Sequence, residues 1–179
     1  MNCRTYRTHT TTLLIGLMLS SLNAALGNDL IGRASIIDGD TLEIHSTRIR
    51  LWGIDAPEHN QLCRGDDSLP YRCGAKAAND LYDFIANRLV TCSQVDSDRY
   101  GRAVAVCSVG EVGLAEWLVH NGLALDWPRY SRGEYDPAQG KAKRAERGIW
   151  SGSFVEPWQF RNCIRLGGRP ADCSDDADR

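Results

Sequence analysis

The sequence lacks several features that would point to particular kinds of protein. Its 179 residues contain no internal repeat and no low-complexity tract, and the length suits one domain with a sizeable core. No CxxC pair occurs among its seven cysteines, which argues against a structural zinc site. Basic residues are not in excess, because 21 Lys and Arg stand against 23 Asp and Glu, for a formal net charge of −2. That balance argues against tight binding to a polyanion.

A long apolar run is also missing. The run Leu13–Leu19 is too short to span a bilayer, but it follows two arginines and precedes the small residues of "NAALG". This order is typical of a signal peptide, which we place at residues 1–27. We expect cleavage after Gly27, with Ala24 and Ala25 as alternative sites, and an uncleaved N-terminal anchor is the other interpretation. After cleavage we expect a monomer with no stable membrane association.

Cleavage would change both the charge and the cysteine count. The segment 1–27 contains two arginines, no acidic residue and one cysteine, so 19 basic and 23 acidic residues would remain, with a net charge of −4. Six cysteines in an exported chain predict three disulfides and a secreted or periplasmic protein. Neighbouring cysteines are the favoured partners, because two of them lie at equal distances from the turn-like "DRYG" and would face each other in a hairpin. The expected pairs are Cys92–Cys107 in that hairpin, Cys63–Cys73 in a polar loop and Cys163–Cys173 in the tail.

Five segments have the alternation or the β-branched composition of strands: "GRASII", "TLEIHS", "RIRLWGI", "LVTCSQV" and "RAVAVCSV". Between the third and fourth strands, a helix is predicted to begin near Gly74, with apolar residues at helical spacing as far as Leu89. Two further helices are predicted after the fifth strand, at Leu114–His120 and from about Pro137 to Arg147.

This order of elements predicts the fold class. Three strands, a helix, two strands and two helices fit a mainly β, α+β fold, namely a five-stranded OB-type β-barrel with about three helices. We place this domain at residues 28–158 and a disulfide-closed C-terminal tail at residues 159–179.

The stretch "IIDGDTLEI" places two carboxylates around a glycine. Asp-Gly between alternating apolar residues predicts a hairpin turn, with Asp38 and Gly39 in the bend. Asp40 is then available as a metal ligand. A second acidic stretch, "RLWGIDAPE", follows closely and places Asp55 and Glu58 after a hydrophobic strand that a proline ends.

The combination of these acids with two arginines fits phosphodiester hydrolysis. Asp40 and Asp55 offer the oxygen ligands that a hard divalent cation such as Ca²⁺ prefers. Arg50 and Arg102 can meet the negative charge that develops on the phosphate oxygens. Glu58 can orient or deprotonate a water as general base. We expect these side chains at strand ends or turns, where a rigid barrel can hold them.

The motifs also have a familiar order. "DGDT", then "RLWGIDAPE", then "YGR" and "GIW" resemble the staphylococcal nuclease (thermonuclease) family, over roughly residues 34–151. The resemblance implies an endonuclease that acts on DNA and RNA, leaves 3′-phosphate ends and has an OB barrel with three helices. It also implies Asp40 and Asp55 as the Ca²⁺ carboxylates, Glu58 as the base, and Arg50 and Arg102 as the phosphate-clamping arginines.

The same resemblance implies further site positions. The residue after the second metal aspartate is usually threonine and gives the ion its backbone carbonyl; here it is Ala56, a change that a carbonyl ligand tolerates. Thr41 is expected to orient the neighbouring carboxylate through its hydroxyl rather than bind the ion. Tyr100 resembles a residue that lines the nucleotide pocket. The second pocket tyrosine has no clean match, so we expect Trp127 or Tyr130 to supply the stacking face.

Two other functions are compatible with the sequence. OB folds also serve as non-catalytic binding modules, although mere binding has no need of the complete set of acids and arginines. Secreted proteins that resemble this family are also associated with bacterial exopolysaccharide production, for instance of succinoglycan in rhizobia. The polar insertion 59–73 directly follows Glu58, so it either shapes access to the site or blocks it.

Overall fold

The computed structural model describes residue 1 and residues 29–174 of the chain. The predicted signal peptide, apart from its first residue, lies outside the described residues, as do residues 175–179. None of the helices in the described part is long and apolar enough to cross a membrane.

Five longer strands form the body of the fold, and all five were predicted from the sequence. They are β2 (Ser35–Asp38), β3 (Thr41–Ile44), β4 (Thr47–Leu51), β8 (Val90–Ser97) and β9 (Ala103–Val109). Six short strands accompany them in the described residues: β1 (Leu30–Gly32), β5 (Ile54–Asp55), β6 (Cys63–Arg64), β7 (Pro70–Tyr71), β10 (Val112–Gly113) and β11 (Leu125–Asp126).

The main sheet has the strand order β1-β8-β9-β4-β3-β2, with β10 paired to β9. Its pairs are antiparallel except for β4 and β9, which run in parallel with Arg50 opposite Val104. Within β4, Ile49 and Leu51 are buried in the core. Because side chains alternate between the two faces of a strand, Arg50 points away from that core.

The helices cover the sheet and supply the rest of the core. They are α1 (Cys73–Ile85), α2 (Leu114–His120), α3 (Pro128–Ser131), α4 (Asp136–Arg144), α5 (Pro157–Arg165) and α6 (Pro170–Ser174), with a 3₁₀ turn at Gly148–Ser151. Helix α1 packs its apolar stripe, Ala77, Leu81 and Ile85, into the main core. The described residues thus form a mixed α+β fold with six helices.

Two predicted helix ends are wrong by a few residues. Helix α1 ends at Ile85, because Ala86 and Asn87 adopt left-handed conformations that close the helix. Leu89 therefore lies outside the helix and is exposed. Helix α4 ends at Arg144 rather than near residue 147, and Glu146 has a positive φ of 50°.

The chain after Trp158 is more ordered than its polar composition suggests. Helix α5 runs across the predicted domain boundary between residues 158 and 159, and α6 follows it. Val155, Phe160 and Cys173 form a small buried cluster beneath these helices. All three expected disulfides are present: Cys63–Cys73, Cys92–Cys107 and Cys163–Cys173.

Candidate active site

The turn between β2 and β3 places Asp40 against the rest of the site. A Cβ at Gly39 would lie 2.8 Å from the Ala56 Cβ and 2.9 Å from the Ala77 Cβ, so glycine is needed for the turn to pack this closely. The backbone N–H of Asp40 donates to Asp38 Oδ1 at 3.1 Å. The turn residues are Gly39 and Asp40, one position later than the predicted bend, and Asp38 is the last residue of β2 and supports the turn through its carboxylate. The Asp40 residue is buried beside Ala56.

Asp55 lies at the centre of the site. It belongs to β5, which pairs with β11 so that Leu125 stands opposite Asp55. Its side chain is 0% exposed. A carboxylate buried to this extent requires charged or hydrogen-bonding partners, and Asp55 has two, Arg50 and Arg161.

Arg50 joins the two aspartates. The register of β3 and β4 sets Arg50 opposite Thr41, the residue that follows Asp40. Arg50 Nη2 donates to Asp40 Oδ2 and to Asp55 Oδ1, each at 2.8 Å. Because both oxygens contact one nitrogen, they lie close enough together for a single cation to reach both.

Burial disfavours the charged form of two carboxylates in this region. It raises the pKa of Asp55 to about 6, although the hydrogen bond from Arg161 acts in the opposite direction. Burial, together with the charge of Asp40, raises the pKa of Asp38 to about 7. Independently of these pKa values, four carboxylates, those of Asp38, Asp40, Asp55 and Glu58, lie around the two guanidiniums of Arg50 and Arg161, and such an acidic cluster favours a bound cation.

Glu58 is connected to this pair through Arg161 on helix α5. Arg161 Nη1 donates to Asp55 Oδ1 at 2.9 Å and to Glu58 Oε1 at 2.8 Å, and Nη2 donates to Asp55 Oδ2 at 2.7 Å. The backbone of Glu58 is held from the other side by helix α1. A Cβ at Gly74 would overlap the Glu58 carbonyl, so glycine is what allows the helix to approach this closely.

An aromatic surface underlies the arginines. The Arg50 and Arg161 guanidinium carbons lie 5.8 and 5.6 Å from the ring centroid of Trp127. Trp127 also stacks on Trp158 with centroids 6.2 Å apart, and Tyr130 meets it edge-on at 4.6 Å. Of the two candidates for a stacking face, Trp127 is thus beside the carboxylates, and Tyr130 lies against it.

Among the described residues, Arg102 and Tyr100 contact Asp98 and each other rather than the carboxylate cluster. Arg102 Nε donates to Asp98 Oδ2 at 2.6 Å, and its guanidinium carbon lies 5.7 Å from the Tyr100 centroid. Within the described residues, none of the recorded contacts of Arg102 is to Asp40 or Asp55. The structure therefore brings Arg50, and not Arg102, onto the predicted metal carboxylates.

The donor set suits a hard cation. Thr41 Oγ1 donates to Asp40 Oδ1 at 3.0 Å, and the Ala56 backbone N–H lies 3.4 Å from Asp40 Oδ2. In residue 1 and residues 29–174, no group of three or more His, Cys, Asp and Glu is arranged to hold a metal. The two carboxylates of Asp40 and Asp55 are oxygen ligands of the kind that Ca²⁺ takes, and they lack the Cys and His ligands that are typical of structural zinc sites.

Two residues of the site are absent from the sequence-based prediction. Arg161 lies in a polar stretch beyond every motif, and Gln61 lies in the insertion 59–73. Gln61 is fully buried, accepts from the Glu58 backbone N–H at 3.2 Å, and donates to the Val155 carbonyl at 2.6 Å. One usable signal was Pro157, since proline is favoured at the first position of a helix such as α5.

Buried carboxylates bridged by an arginine, with a third carboxylate beside them, define a class of site suited to phosphodiester chemistry. Sequence comparison agrees with this class. A family described as "Staphylococcal nuclease homologue" matches residues 48–152, more than half of the chain. The chain belongs to the staphylococcal nuclease family. Membership implies an OB-like fold and, at the level of the family, nuclease activity.

Individual relatives have related names. The chain is 37% identical over 145 residues to "Succinoglycan biosynthesis protein ExoI" of Rhizobium meliloti (strain 1021), covering 80% of this chain and 76% of that protein. It is 30% identical over 142 residues to an "Uncharacterized endonuclease" of Escherichia coli O157:H7, covering 75% and 86%. It is 34% identical over 146 residues to "Probable staphylococcal-like nuclease CAN3" of Oryza sativa subsp. japonica, covering 80% and 35%.

Proposed function

We propose that this protein is an exported, Ca²⁺-dependent endonuclease that hydrolyses phosphodiester bonds of DNA and RNA and leaves 3′-phosphate ends. The observation that carries the proposal is the bridge from Arg50 to the buried Asp40 and Asp55, with Glu58 attached to the same cluster through Arg161. The names of the endonuclease and nuclease relatives support the same chemistry.

Arg50 would bind the phosphate. Its Nη2 atom donates to both aspartates, and its other N–H groups have no hydrogen-bond acceptor within residues 29–174. A guanidinium donates in a planar fork that matches phosphate oxygens, so these free donors can meet the charge that develops during attack. Arg102 would contribute a second guanidinium after it leaves Asp98, with which it forms a partly exposed ion pair.

Glu58 would act on the attacking water. Its side chain is 35% exposed, which gives water access to the carboxylate. As general base it takes a proton from the water, whose oxygen bonds to phosphorus while the 5′ oxygen leaves with the bonding electron pair and takes up a proton from solvent to become a hydroxyl. A Ca²⁺ ion held by Asp40, Asp55 and the Ala56 carbonyl, with Thr41 orienting Asp40, would supply a positive charge beside the phosphate.

The surroundings of the site suggest how a nucleotide is held. Trp127 and Tyr130 offer aromatic faces next to the arginines, and Tyr100 is 70% exposed beside Arg102. Aromatic rings stack on any base, so these residues suit a substrate range that includes DNA and RNA. We further propose that the main sheet closes into a five-stranded OB barrel, since β1 lies against β3 as well as β8.

The cell-level part of the proposal rests on export. Three disulfides are consistent with an extracellular or periplasmic protein. The same location follows from the proposed signal peptide at residues 1–27. We propose that the mature chain is monomeric. The similarity to the succinoglycan biosynthesis protein makes exopolysaccharide production a second candidate for the biological context. The neighbourhood of the gene would separate that context from nutrient scavenging or defence.

A digestion assay tests the proposed chemistry. The purified chain should degrade DNA and RNA with Ca²⁺, EDTA should stop the reaction, and Arg50→Ala or Glu58→Ala should abolish it. Arg48→Ala is the matched control, because Arg48 lies on the same strand but is 62% exposed, and its ion pair among the described residues is with Glu43, at 3.7 Å. It should digest normally.

The assay also decides between catalysis and mere binding. Substrate left intact by folded, Ca²⁺-supplied protein would contradict the nuclease proposal. If that protein nevertheless retained nucleic acid on a gel, the non-catalytic OB module would be the correct interpretation. Product ends that accept a label only after phosphatase treatment of the 3′ terminus would support the predicted 3′-phosphate.

A further inference from the structure

Arg161 is the only described side chain that contacts both Asp55 and Glu58. It covers both oxygens of the Asp55 carboxylate and reaches one oxygen of Glu58 with the same Nη1 atom. Its side chain is 31% exposed, whereas that of Asp55 is 0% exposed. Arg161 also lies beyond the part of the chain that matches the family, which ends at residue 152.

Glu58 depends on this contact for its orientation. Arg161 Nη1 is the only side-chain partner of the Glu58 carboxylate within residues 29–174. A glutamate side chain has several rotatable bonds and loses substantial entropy when it is fixed. Without Arg161, a carboxylate that is 35% exposed would sample several rotamers in water. The bidentate contact to Asp55 gives Arg161 a fixed position from which to hold Glu58.

The packing contacts of helix α5 fix the position of Arg161. Phe160 on the same helix is buried with Val155 and Cys173. Trp158, three residues before Arg161 and therefore on the same helix face, stacks on Trp127. The Cys163–Cys173 disulfide then ties the end of α5 to α6.

The insertion 59–73 connects this tail to Glu58. Buried Gln61 bridges the Glu58 N–H and the Val155 carbonyl, and the Leu62 N–H donates to Ser174 Oγ at 2.9 Å. The insertion therefore docks the tail on the backbone of the proposed base. Residue 58 is held at both ends, with its backbone fixed by the insertion and its carboxylate fixed by Arg161.

We propose that Arg161 is a positioning residue of the active site. It holds the Glu58 carboxylate at a fixed position relative to Asp55 for attack on the phosphodiester. The inference rests on the proposed nuclease function. It differs from a purely inhibitory contact, in which Arg161 would only occupy carboxylates needed by the cation. A positioning role predicts that loss of Arg161 lowers kcat, whereas an inhibitory role predicts that it raises activity.

Substitutions at position 161 and a matched control on the same helix test the proposal. Arg161→Gln should lower kcat by about tenfold to 10²-fold, the scale of a misplaced catalytic group, and leave KM within about twofold. Arg161→Lys should recover part of the loss, because lysine keeps the charge but lacks the fork. Arg165→Gln should behave as wild type, since Arg165 is exposed and its side chain donates, within residues 29–174, to Asn162 and to none of the proposed site residues. An unchanged or raised kcat in Arg161→Gln would overturn the proposal, as would a change in KM alone.

A second measurement needs neither substrate nor metal, so it separates this inference from the proposed function. In crystals of metal-free Arg161→Gln, the Glu58 carboxylate should lose its single ordered position while Asp40 and helix α5 keep theirs. A Glu58 side chain as well ordered as in wild type would overturn the positioning role even if digestion assays succeed. Conversely, wild-type protein that digests nothing contradicts the nuclease proposal, while disorder of Glu58 in Arg161→Gln would still support the contact.

Discussion

Arg102 and Arg161 make similar ion pairs in two different regions of the molecule. Arg102 belongs to the turn before β9 and pairs with Asp98, four residues away in the chain. Arg161 belongs to helix α5 and pairs with Asp55, 106 residues away, and with Glu58, 103 residues away. The first pair is local and partly exposed, and the second joins the tail to a fully buried carboxylate.

The difference affects how readily each arginine can leave its carboxylate and bind a phosphate. The Arg102–Asp98 pair keeps 24% and 17% of its side chains accessible, so water can replace part of the contact and Arg102 can leave Asp98 at lower cost than Arg161 can leave the fully buried Asp55. Arg161 cannot leave Asp55 as easily, because a buried carboxylate stripped of a partner carries the full cost of desolvation. For this reason we propose that Arg102 binds the substrate, whereas Arg161 stays with the carboxylates.

Removal of the anchor of α5 should have the largest effect on stability. Phe160→Ala deletes a ring that is 2% exposed, and such truncations cost about 3–5 kcal/mol in the free energy of unfolding. Urea denaturation should detect this loss, and kcat of the folded fraction should fall as in Arg161→Gln. Leu166→Ala is the control, since Leu166 is 82% exposed. Wild-type stability in Phe160→Ala would contradict a docked tail.

These two regions also show how far the sequence could predict the site. Asp40, Arg50, Asp55 and Glu58 are placed by strands and turns whose signals are local, namely alternation, Asp-Gly and a strand-ending proline. Arg161 depends instead on tertiary contacts of the tail, which no spacing within the motifs encodes. The pairing of Arg102 with Asp98 is local in the chain, but it depends on the conformation of the folded turn and not on residue spacing alone.

Loss of a disulfide should affect kcat differently in the two regions. Cys163→Ser with Cys173→Ser opens the tail, and Cys92→Ser with Cys107→Ser opens the hairpin that carries the Asp98–Arg102 turn. Each double variant should lose about 2–3 kcal/mol of stability, from the freed unfolded chain. Only the tail variant should also lower kcat, when both are assayed below their melting temperatures. Equal losses of kcat would mean that the tail has no special role in catalysis.

Arg102→Gln should barely change stability. A partly exposed pair contributes at most about 1 kcal/mol, so the melting temperature should shift by a few degrees or less. Activity should respond more strongly, with kcat/KM reduced about 10²-fold by the loss of a phosphate-binding guanidinium. Glu58 should stay ordered in crystals of this variant, in contrast to Arg161→Gln. A variant with full activity would remove Arg102 from the proposed site.

The smallest predicted effect is the pH dependence of the stability that the Asp98–Arg102 ion pair supplies. Burial is the largest single influence on the pKa of Asp98 and raises it, but the hydrogen bonds from Arg102 and Tyr100, together with the charge of Arg102, outweigh burial and hold the pKa below its ordinary value of 3.8. The unfolded chain therefore binds a proton at this position more readily, and the stability that the pair supplies is present above pH 4 and lost as the pH falls below it. Asp98→Asn should be less stable than wild type by under about 1 kcal/mol at pH 6, and the difference should shrink as the pH falls below 4. Paired urea denaturation curves at pH 3 and pH 6 measure this, and a difference that grows on acidification would contradict the local pairing of Arg102.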